Sequence, residues 1–179
     1  EDTDKARGSK EFEDNILDAL TWLGCDYTEL HRQSERLPIH QNYLHKLLES
    51  GAAYEAEESK DGKGKVIRLK NPNTVITFHD LILGEVSVDT TDLGDFVIAR
   101  NSDSPLYHFV VVVDDHDMKI SHVIRAQEHL ANTPRQILIH QALDIPLPKY
   151  AHIPLVLAPD KSKLSKRHGS VALTDYRDK

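Results

Sequence analysis

The sequence predicts an α/β fold, because strand and helix patterns alternate along the second half of the chain. The continuous apolar run at residues 109–113 is typical of a parallel strand that is buried on both faces. Further strands are predicted at residues 120–124 and 153–157, with a helix opened between them by Thr133 as N-cap and Pro134 in the first turn. This order of strand, helix and strand is that of a nucleotide-binding open sheet, where ligands lie beyond the carboxyl ends of the strands.

Two amphipathic helices are predicted in the first third of the chain. The first follows Ser9, a candidate N-cap, and ends at Gly24. The second is predicted over residues 38–50 and ends at Gly51. The apolar face of each helix is predicted to belong to the core.

A small antiparallel β unit is predicted after these helices. A turn at residues 61–64 precedes a series of short apolar runs separated by Gly, Asn, Pro and Asp. These runs cover residues 66–69, 75–78, 86–88 and 96–99.

Composition bounds the class of protein. The chain has 179 residues, 39% of them hydrophobic, and no apolar run approaches the roughly 18 residues of a membrane-spanning helix, so we predict a cytoplasmic protein. Cys25 is the only cysteine, which excludes a disulfide within the chain and argues against a structural zinc site. The histidines lack ligand spacing and no carboxylate partner is evident, so no metal site is predicted at His31, His40, His45, His79 or His140.

Charge is distributed unevenly. A net charge of −7 argues against indiscriminate binding of nucleic acid, which depends on clustered Lys and Arg. Two local basic clusters nevertheless predict RNA binding at a chosen place. They are Lys60, Lys63, Lys65, Arg68 and Lys70 in one segment, and residues 161–168 in the other.

The second cluster contains two lysines three residues apart, Lys163 and Lys166, flanked by Lys161 and Arg167. Such a dense cationic loop suits the charge spread over a triphosphate. A solvated basic turn is the alternative that this pattern alone leaves open.

The segment Lys163-Leu164-Ser165-Lys166-Arg167-His168-Gly169 closely resembles the KMSKS loop of class I aminoacyl-tRNA synthetases, in the form found in glutamyl-tRNA synthetases. Other segments similar to that family follow in the family's order along nearly the whole chain. They lie at residues 1–4, 32–36, 107, 112–118, 122–125 and 132–136.

The resemblance implies a Rossmann-type class I synthetase catalytic core, present in part, with an inserted small α+β subdomain that binds the tRNA acceptor. Residues 1–31 would be a remnant of the first half of the core, residues 32–106 the shortened insert, and residues 107–179 the second half with the lysine loop. The family's HIGH motif and anticodon-binding domain have no counterpart in the sequence, so we expect a fragment. The helical part of the insert is also absent, because Glu58 leads within a few residues to Lys65.

The function implied by the resemblance is ATP-dependent ligation of L-glutamate to tRNA(Glu) through a glutamyl-adenylate. Its substrates would be L-glutamate, ATP with Mg²⁺ and the acceptor stem of the tRNA. Lys163, Ser165 and Lys166 would be the catalytic residues, stabilising the α-phosphoryl group and the leaving pyrophosphate without a covalent enzyme intermediate.

The resemblance places further residues at the ATP. Glu128 and His129 would contact the ribose and the adenine, Leu155 and Val156 would close over the adenine through their backbone, and Lys166 would also bind the phosphates. From pattern alone, a solvated helix start at residues 128–129 and a plain core strand at residues 155–156 stay open.

The resemblance places Glu1, Tyr107 and Arg125 at the substrate glutamate, with Glu1 pairing with its ammonium group and Arg125 holding a carboxylate. Without the resemblance, Tyr107 could be a tyrosine at the core edge, and Arg125 could form a structural salt bridge with Asp114 or Asp115. The two aspartates are interpreted as structural rather than metal-binding.

Two alternative functions stay open. One is the shorter paralogue that charges the queuosine base of aspartate tRNA, although that paralogue usually has a degraded lysine loop and a cysteine-rich zinc site. The other is a catalytically incomplete module that binds tRNA. A glutamine-specific ligase fits less well, because Asp4 and the Arg167-His168-Gly169 ending match the glutamate branch.

Overall fold

A computed structural model describes residues 2, 9–57, 64–158, 160–162 and 177. Contacts between residues divide the chain into two units, one formed by Glu1–Arg36 with Leu155–Lys179 and the other by Leu37–Pro154. Within the described ranges, no helix is both long enough and apolar enough to cross a membrane. The sequence-based division at residues 31 and 106 stays a prediction.

The first unit contains the helix α1 (Lys10–Trp22). Its N-cap is Ser9, as predicted, and the Ser9 side chain accepts a hydrogen bond from the backbone N–H of Phe12 at 3.3 Å. The expectation that the apolar face of α1 belongs to the core is wrong, because α1 has no buried residue and Phe12 and Ile16 are 60% and 58% exposed.

The second unit begins with α2 (Leu37–Glu49), which buries His40, Leu44 and Leu47. The chain then turns at Gly51, whose φ of +71° favours glycine, and continues as β1 (Ala53–Glu57). The sequence predicted the helix and its end but not this strand.

The predicted antiparallel unit is divided between two sheets. The first is antiparallel, has the order β1-β2-β5, and comprises β1 with β2 (Lys65–Leu69) and β5 (Phe96–Ala99). The other two predicted strands form the antiparallel hairpin β3 (Val75–Asp80) and β4 (Gly84–Asp89), which belongs to the second sheet.

The second sheet has the order β4-β3-β7-β6 and is mixed. Its strands β6 (His122–Ala126) and β7 (Lys149–Ile153) are parallel neighbours, joined by the helix α4 (Thr133–Leu143). The predicted order of strand, helix and strand is therefore confirmed, with each strand shifted by a few residues. The predicted N-cap is displaced by one residue, since Asn132 occupies that position and Thr133 is the first helical residue.

The apolar run at residues 109–113 forms a helix, so the predicted strand is wrong. The helix α3 spans Tyr107–Asp117 and packs against α2, α4 and β5. Phe109, Val110, Val112 and Val113 are at most 1% exposed. A continuous apolar run has no periodicity that separates a strand from a helix. Valine disfavours a helix by only about 0.7 kcal/mol or less, so packing decides the outcome.

The core of the second unit lies between α2, α3, α4 and the two sheets. Leu47, Leu69, Ile98, Phe109 and Ile139 are completely buried in it. This packing brings β6, β7, the end of β3 and the start of α4 together, and these elements carry the candidate site.

Candidate functional site

Arg125 lies in β6, opposite His152 of the neighbouring parallel strand β7. Its Nε donates a hydrogen bond to His152 Nε2 at 3.1 Å. Its Nη2 donates to Thr133 Oγ1 and to Gln136 Oε1, both at 2.7 Å. Three of the five N–H groups of a guanidinium are therefore held by acceptors that carry no formal charge.

The alternative of a structural salt bridge from Arg125 to Asp114 or Asp115 is not what the structure shows. Asp114 lies in the last turns of α3 and its Oδ1 is 2.8 Å from His40 Nε2 of α2, so His40 does have a carboxylate partner. A guanidinium without a carboxylate partner among the described residues retains its attraction for an anion.

His152 is fixed from its other side by Asp80, the last residue of β3. Asp80 Oδ2 lies 2.6 Å from His152 Nδ1, and both residues are 0% exposed. Asp80 Oδ1 accepts hydrogen bonds from the backbone N–H groups of Ile82 and Leu83 at 3.0 and 2.9 Å.

The carboxyl group of Asp80 is ionised at neutral pH. Burial acts to raise its pKa, but the hydrogen bonds from Leu83, from the His152 ring, from Ile82 and from the His152 backbone together lower the pKa to about 2. An ionised carboxylate only accepts hydrogen bonds, so we assign the ring proton of His152 to Nδ1 and leave Nε2 as the acceptor for Arg125.

Aromatic and neutral polar side chains surround Arg125. The Tyr150 ring centroid is 5.8 Å from Arg125 Cζ, and burial raises the pKa of the Tyr150 hydroxyl. Burial, followed by the charges of Arg135 and Arg125, lowers the pKa of His108 in the first turn of α3. Tyr150 and His108 are therefore uncharged at neutral pH.

Tyr107 is the first residue of α3 and is half-buried. Its ring makes an edge contact with His108, with 5.5 Å between the centroids. The charge of Arg125 contributes to the lowered pKa of the adjacent His108. Contact of Tyr107 with glutamate stays a prediction.

Glu128 and His129 lie on a short 3-10 helix, Gln127–Asn132, that directly follows β6. Glu128 is exposed and His129 half-exposed, with 3.9 Å between Glu128 Oε1 and His129 Nε2. His129 Nδ1 is 3.2 Å from Asn132 Nδ2. The structure thus places both residues beyond the carboxyl end of β6, where open sheets bind nucleotides, and their contact with ATP stays a prediction.

The remaining site residues belong to the first unit. Leu155 and Val156 lie beyond the end of β7, so the predicted strand at residues 153–157 is wrong in its position, and Val156 is 70% exposed rather than core. Glu1, Lys163, Ser165 and Lys166 lie outside the described residues.

Two described members of the first basic cluster, Lys65 and Arg68, make side-chain contacts within the protein. Lys65 Nζ is 3.0 Å from Glu55 Oε2, and Arg68 Nη1 donates to the Asp95 carbonyl oxygen at 2.7 Å. Lys60 and Lys63 lie outside the described residues, as does most of the turn at residues 61–64. In the part of the chain that the structure describes, no group of three or more His, Cys, Asp or Glu residues is placed to hold a metal ion.

Sequence reasoning missed the four residues that hold Arg125 directly or through His152, namely Asp80, Thr133, Gln136 and His152. The sequence analysis predicted the helix and assigned Thr133 only the role of its N-cap. A usable signal was present, because Asp80 and His152 each adjoin a predicted strand and a polar residue there is buried only when it is hydrogen-bonded.

Comparison with known proteins identifies the family of this chain. The family model for class I tRNA synthetases specific for glutamate and glutamine (E and Q), catalytic domain, matches residues 1–62 and 55–179. The chain belongs to this family. The α/β class and the resemblance to glutamyl-tRNA synthetases are thereby confirmed.

Curated relatives of this family member are named glutamate–tRNA ligases. The ligase of Aquifex aeolicus is 46% identical over 215 residues, covering 99% of this chain and 46% of the relative. The ligase of Hydrogenobaculum sp. is 41% identical, with coverage of 99% and 46%. The chain thus spans about half the length of these relatives.

Solved structures of glutamate–tRNA ligases share the fold. The ligase of Elizabethkingia meningosepticum, solved in complex with its amino acid, is 30% identical, with a TM-score of 0.85 over 93% of this chain and 44% of that chain. The synthetase of Elizabethkingia anophelis is 31% identical, with a TM-score of 0.87 over 94% and 45%.

The two segments that the family model matches overlap at residues 55–62, and the connection between β1 and β2 lies there. The alignment with the Aquifex ligase spans 215 residues against 179 in the chain. The shortened insert stays a prediction.

Proposed function

We propose that the protein carries out ATP-dependent ligation of L-glutamate to tRNA(Glu), through a glutamyl-adenylate, in the cytoplasm. Family membership and the names of its relatives support this reaction. The observation that carries the proposal is Arg125, a partly buried guanidinium held only by neutral acceptors at the carboxyl-terminal part of a parallel strand. Such a group is suited to bind the carboxylate of an acidic amino acid.

The roles of the site residues follow from this reaction. Arg125 binds a glutamate carboxylate, the Tyr107 hydroxyl lines the same pocket, and Glu1 pairs with the substrate ammonium. Glu128 and His129 contact the ribose and adenine of ATP, and the backbone of Leu155 and Val156 closes over the base. The acceptor end of the tRNA then receives the activated glutamate.

The cationic loop acts on the charge that develops during adenylation. Lys163 and Lys166 stabilise the α-phosphoryl group and the leaving pyrophosphate, Ser165 donates a hydrogen bond, and magnesium enters with ATP. Positioning and electrostatic stabilisation provide the rate enhancement, and no residue is modified covalently.

Binding of L-glutamate to the chain tests the role of Arg125. Isothermal titration with L-glutamate and with L-glutamine should show a preference for glutamate, because only its side chain is charged. Replacement of Arg125 by Gln should weaken glutamate binding about tenfold or more, since a charge-assisted hydrogen bond is lost. The exposed Arg100, replaced in the same way, is the control and should bind as the wild type does. Equal affinity for the two ligands, or an unchanged affinity in the Arg125 variant, would contradict the proposal.

Kinetics in the full-length natural protein test the lysine loop. Lys166→Ala should lower the adenylation rate by about a hundredfold while changing glutamate affinity by less than about threefold, because the lysine acts on charge that appears only in the transition state. Glutamate-dependent exchange of pyrophosphate into ATP gives the rate. Equal losses in rate and affinity would assign Lys166 to ground-state binding instead.

A further inference from the structure

Arg125 can only donate hydrogen bonds, so each of its partners must be an acceptor. His152 Nε2 is an acceptor only if it carries no proton. Asp80 can only accept hydrogen bonds, so His152 Nδ1 carries a proton, 2.6 Å from Asp80 Oδ2. His152 Nε2 is then an acceptor for Arg125 Nε at 3.1 Å. With the opposite tautomer, two N–H groups would face each other across that distance.

The same contacts determine which edge of the guanidinium is left for a ligand. Arg125 Nε has one N–H, which His152 accepts, and Nη2 has two, which Thr133 and Gln136 accept. Only the two N–H groups of Nη1 have no acceptor among the described residues. The side edge formed by Nε and Nη2, which usually binds a carboxylate through two parallel bonds, is therefore already occupied.

The acceptors are rigidly placed. Thr133, Gln136, His152 and Asp80 are each at most 2% exposed, and they belong to α4, β7 and the end of β3. Thr133 Oγ1 also lies 3.1 Å from His152 Nε2, which links two of the acceptors. A buried, cross-linked set of this kind holds one orientation of the guanidinium.

We propose that His152 is a positioning residue for the substrate amino acid. Asp80 fixes the Nδ1–H tautomer of His152, and His152 orients Arg125 so that Nη1 presents its donors to the carboxylate. This inference rests on the proposed function, in which Arg125 binds glutamate.

The tautomer can be measured in the unaltered chain. Nitrogen-15 NMR of the imidazole rings distinguishes the Nδ1–H and Nε2–H forms, and a His152→Gln spectrum identifies the His152 signals by their loss. We expect the Nδ1–H form. An Nε2–H form in a chain that binds L-glutamate would overturn this inference and leave the proposed function in place. No binding of L-glutamate by the wild type would overturn both.

Asp80→Asn tests the coupling between the tautomer and the substrate. The asparagine oxygen can still accept from Ile82 and Leu83, but its amide N–H replaces the acceptor at His152 Nδ1 and moves the ring proton to Nε2. We expect a switched tautomer and a dissociation constant for L-glutamate raised about tenfold. Asp89→Asn is the matched control, since it removes an exposed carboxylate from the same sheet and should change neither quantity. A switched tautomer with unchanged affinity would overturn the proposal.

A double-mutant cycle separates positioning from general stability. In His152→Gln the glutamine oxygen can occupy the place of Nε2 and accept from Arg125 whatever residue stands at position 80. Asp80→Asn should therefore raise the dissociation constant for L-glutamate when His152 is present. In the His152→Gln background it should raise that constant by less than twofold. If Asp80→Asn changed the affinity for L-glutamate equally in both backgrounds, Asp80 would not act through His152. Thermal unfolding of each variant verifies that the protein measured is folded.

Discussion

At the scale of the residue, the site is built from a cation and uncharged acceptors. His152, Thr133 and Gln136 satisfy most of the donors of Arg125 without neutralising it. A carboxylate in their place would stabilise the arginine equally well but would compete with an acidic substrate. Asp80 pairs with His152 rather than with Arg125, so the His152 ring separates the negative charge of Asp80 from the guanidinium.

A second buried pair, His40 of α2 and Asp114 of α3, is structural. His40 is 1% exposed and its Nε2 lies 2.8 Å from Asp114 Oδ1. His40→Ala should lower the free energy of unfolding by about 2 to 3 kcal/mol, since a buried carboxylate loses a donor. Urea denaturation gives the value, with the exposed His45→Ala on the same helix as control. A loss below about 0.5 kcal/mol would mean that the pair contributes little.

The resemblance predicted Arg125 and Tyr107 as residues that bind glutamate. Without it, two roles stayed open for Arg125, binding of a substrate carboxylate or a structural salt bridge. The acceptors could not be predicted together because Asp80, Thr133 and His152 are far apart in sequence and are joined only by the pairing of β3, β6 and β7. Side-chain partners at such separations depend on strand order, which periodicity does not determine.

At the scale of the element, local rules succeeded where the chain is partly solvated. The boundaries of α1 and α2, with Ser9 as cap and Gly51 as a turn residue, follow from capping and backbone preferences. These local rules failed for α3, where the continuous apolar run carries no periodic signal and its valines favour a strand prediction. Neighbouring elements, not the segment itself, determine that helix.

The cap of α1 offers a test at this scale. Ser9→Ala should weaken the helix by about 1 kcal/mol, because the N–H of Phe12 loses its side-chain acceptor, whereas Ser9→Asp should preserve the cap and favour the helix dipole. Amide hydrogen exchange within residues 10–22 measures the effect. Equal protection in the two variants would indicate that the cap does not stabilise α1.

At the scale of the whole molecule, residues 37–154 contain both sheets, the α-helices α2, α3 and α4, and the hydrophobic core. A segment with its own core should fold by itself. We expect residues 37–154, expressed alone, to unfold cooperatively in urea, as measured by circular dichroism. A gradual, non-cooperative transition would show that the rest of the chain is needed for this fold.

Buried histidine makes the stability of the molecule sensitive to acid. Burial lowers the pKa of His140 in α4 from 6.5 to about 4, so the unfolded chain takes up this proton before the folded one as pH falls. The free energy of unfolding should therefore decrease between about pH 6.5 and 4, by roughly 3 kcal/mol for this group. His140→Gln should make that decrease smaller, whereas the exposed His45→Gln should not. Identical pH profiles for wild type and His140→Gln would contradict this assignment.

The hairpin between β1 and β2 can accept connections of different length. Its strands are paired from Ala53 with Leu69 to Glu57 with Lys65, so the two ends of the connection are anchored side by side whatever joins them. The entropy lost in closing a loop rises only by about 0.6 kcal/mol for each doubling of its length. The connection can therefore be lengthened or trimmed with little thermodynamic penalty, and a protein engineer could graft a reporter domain there while leaving both sheets intact.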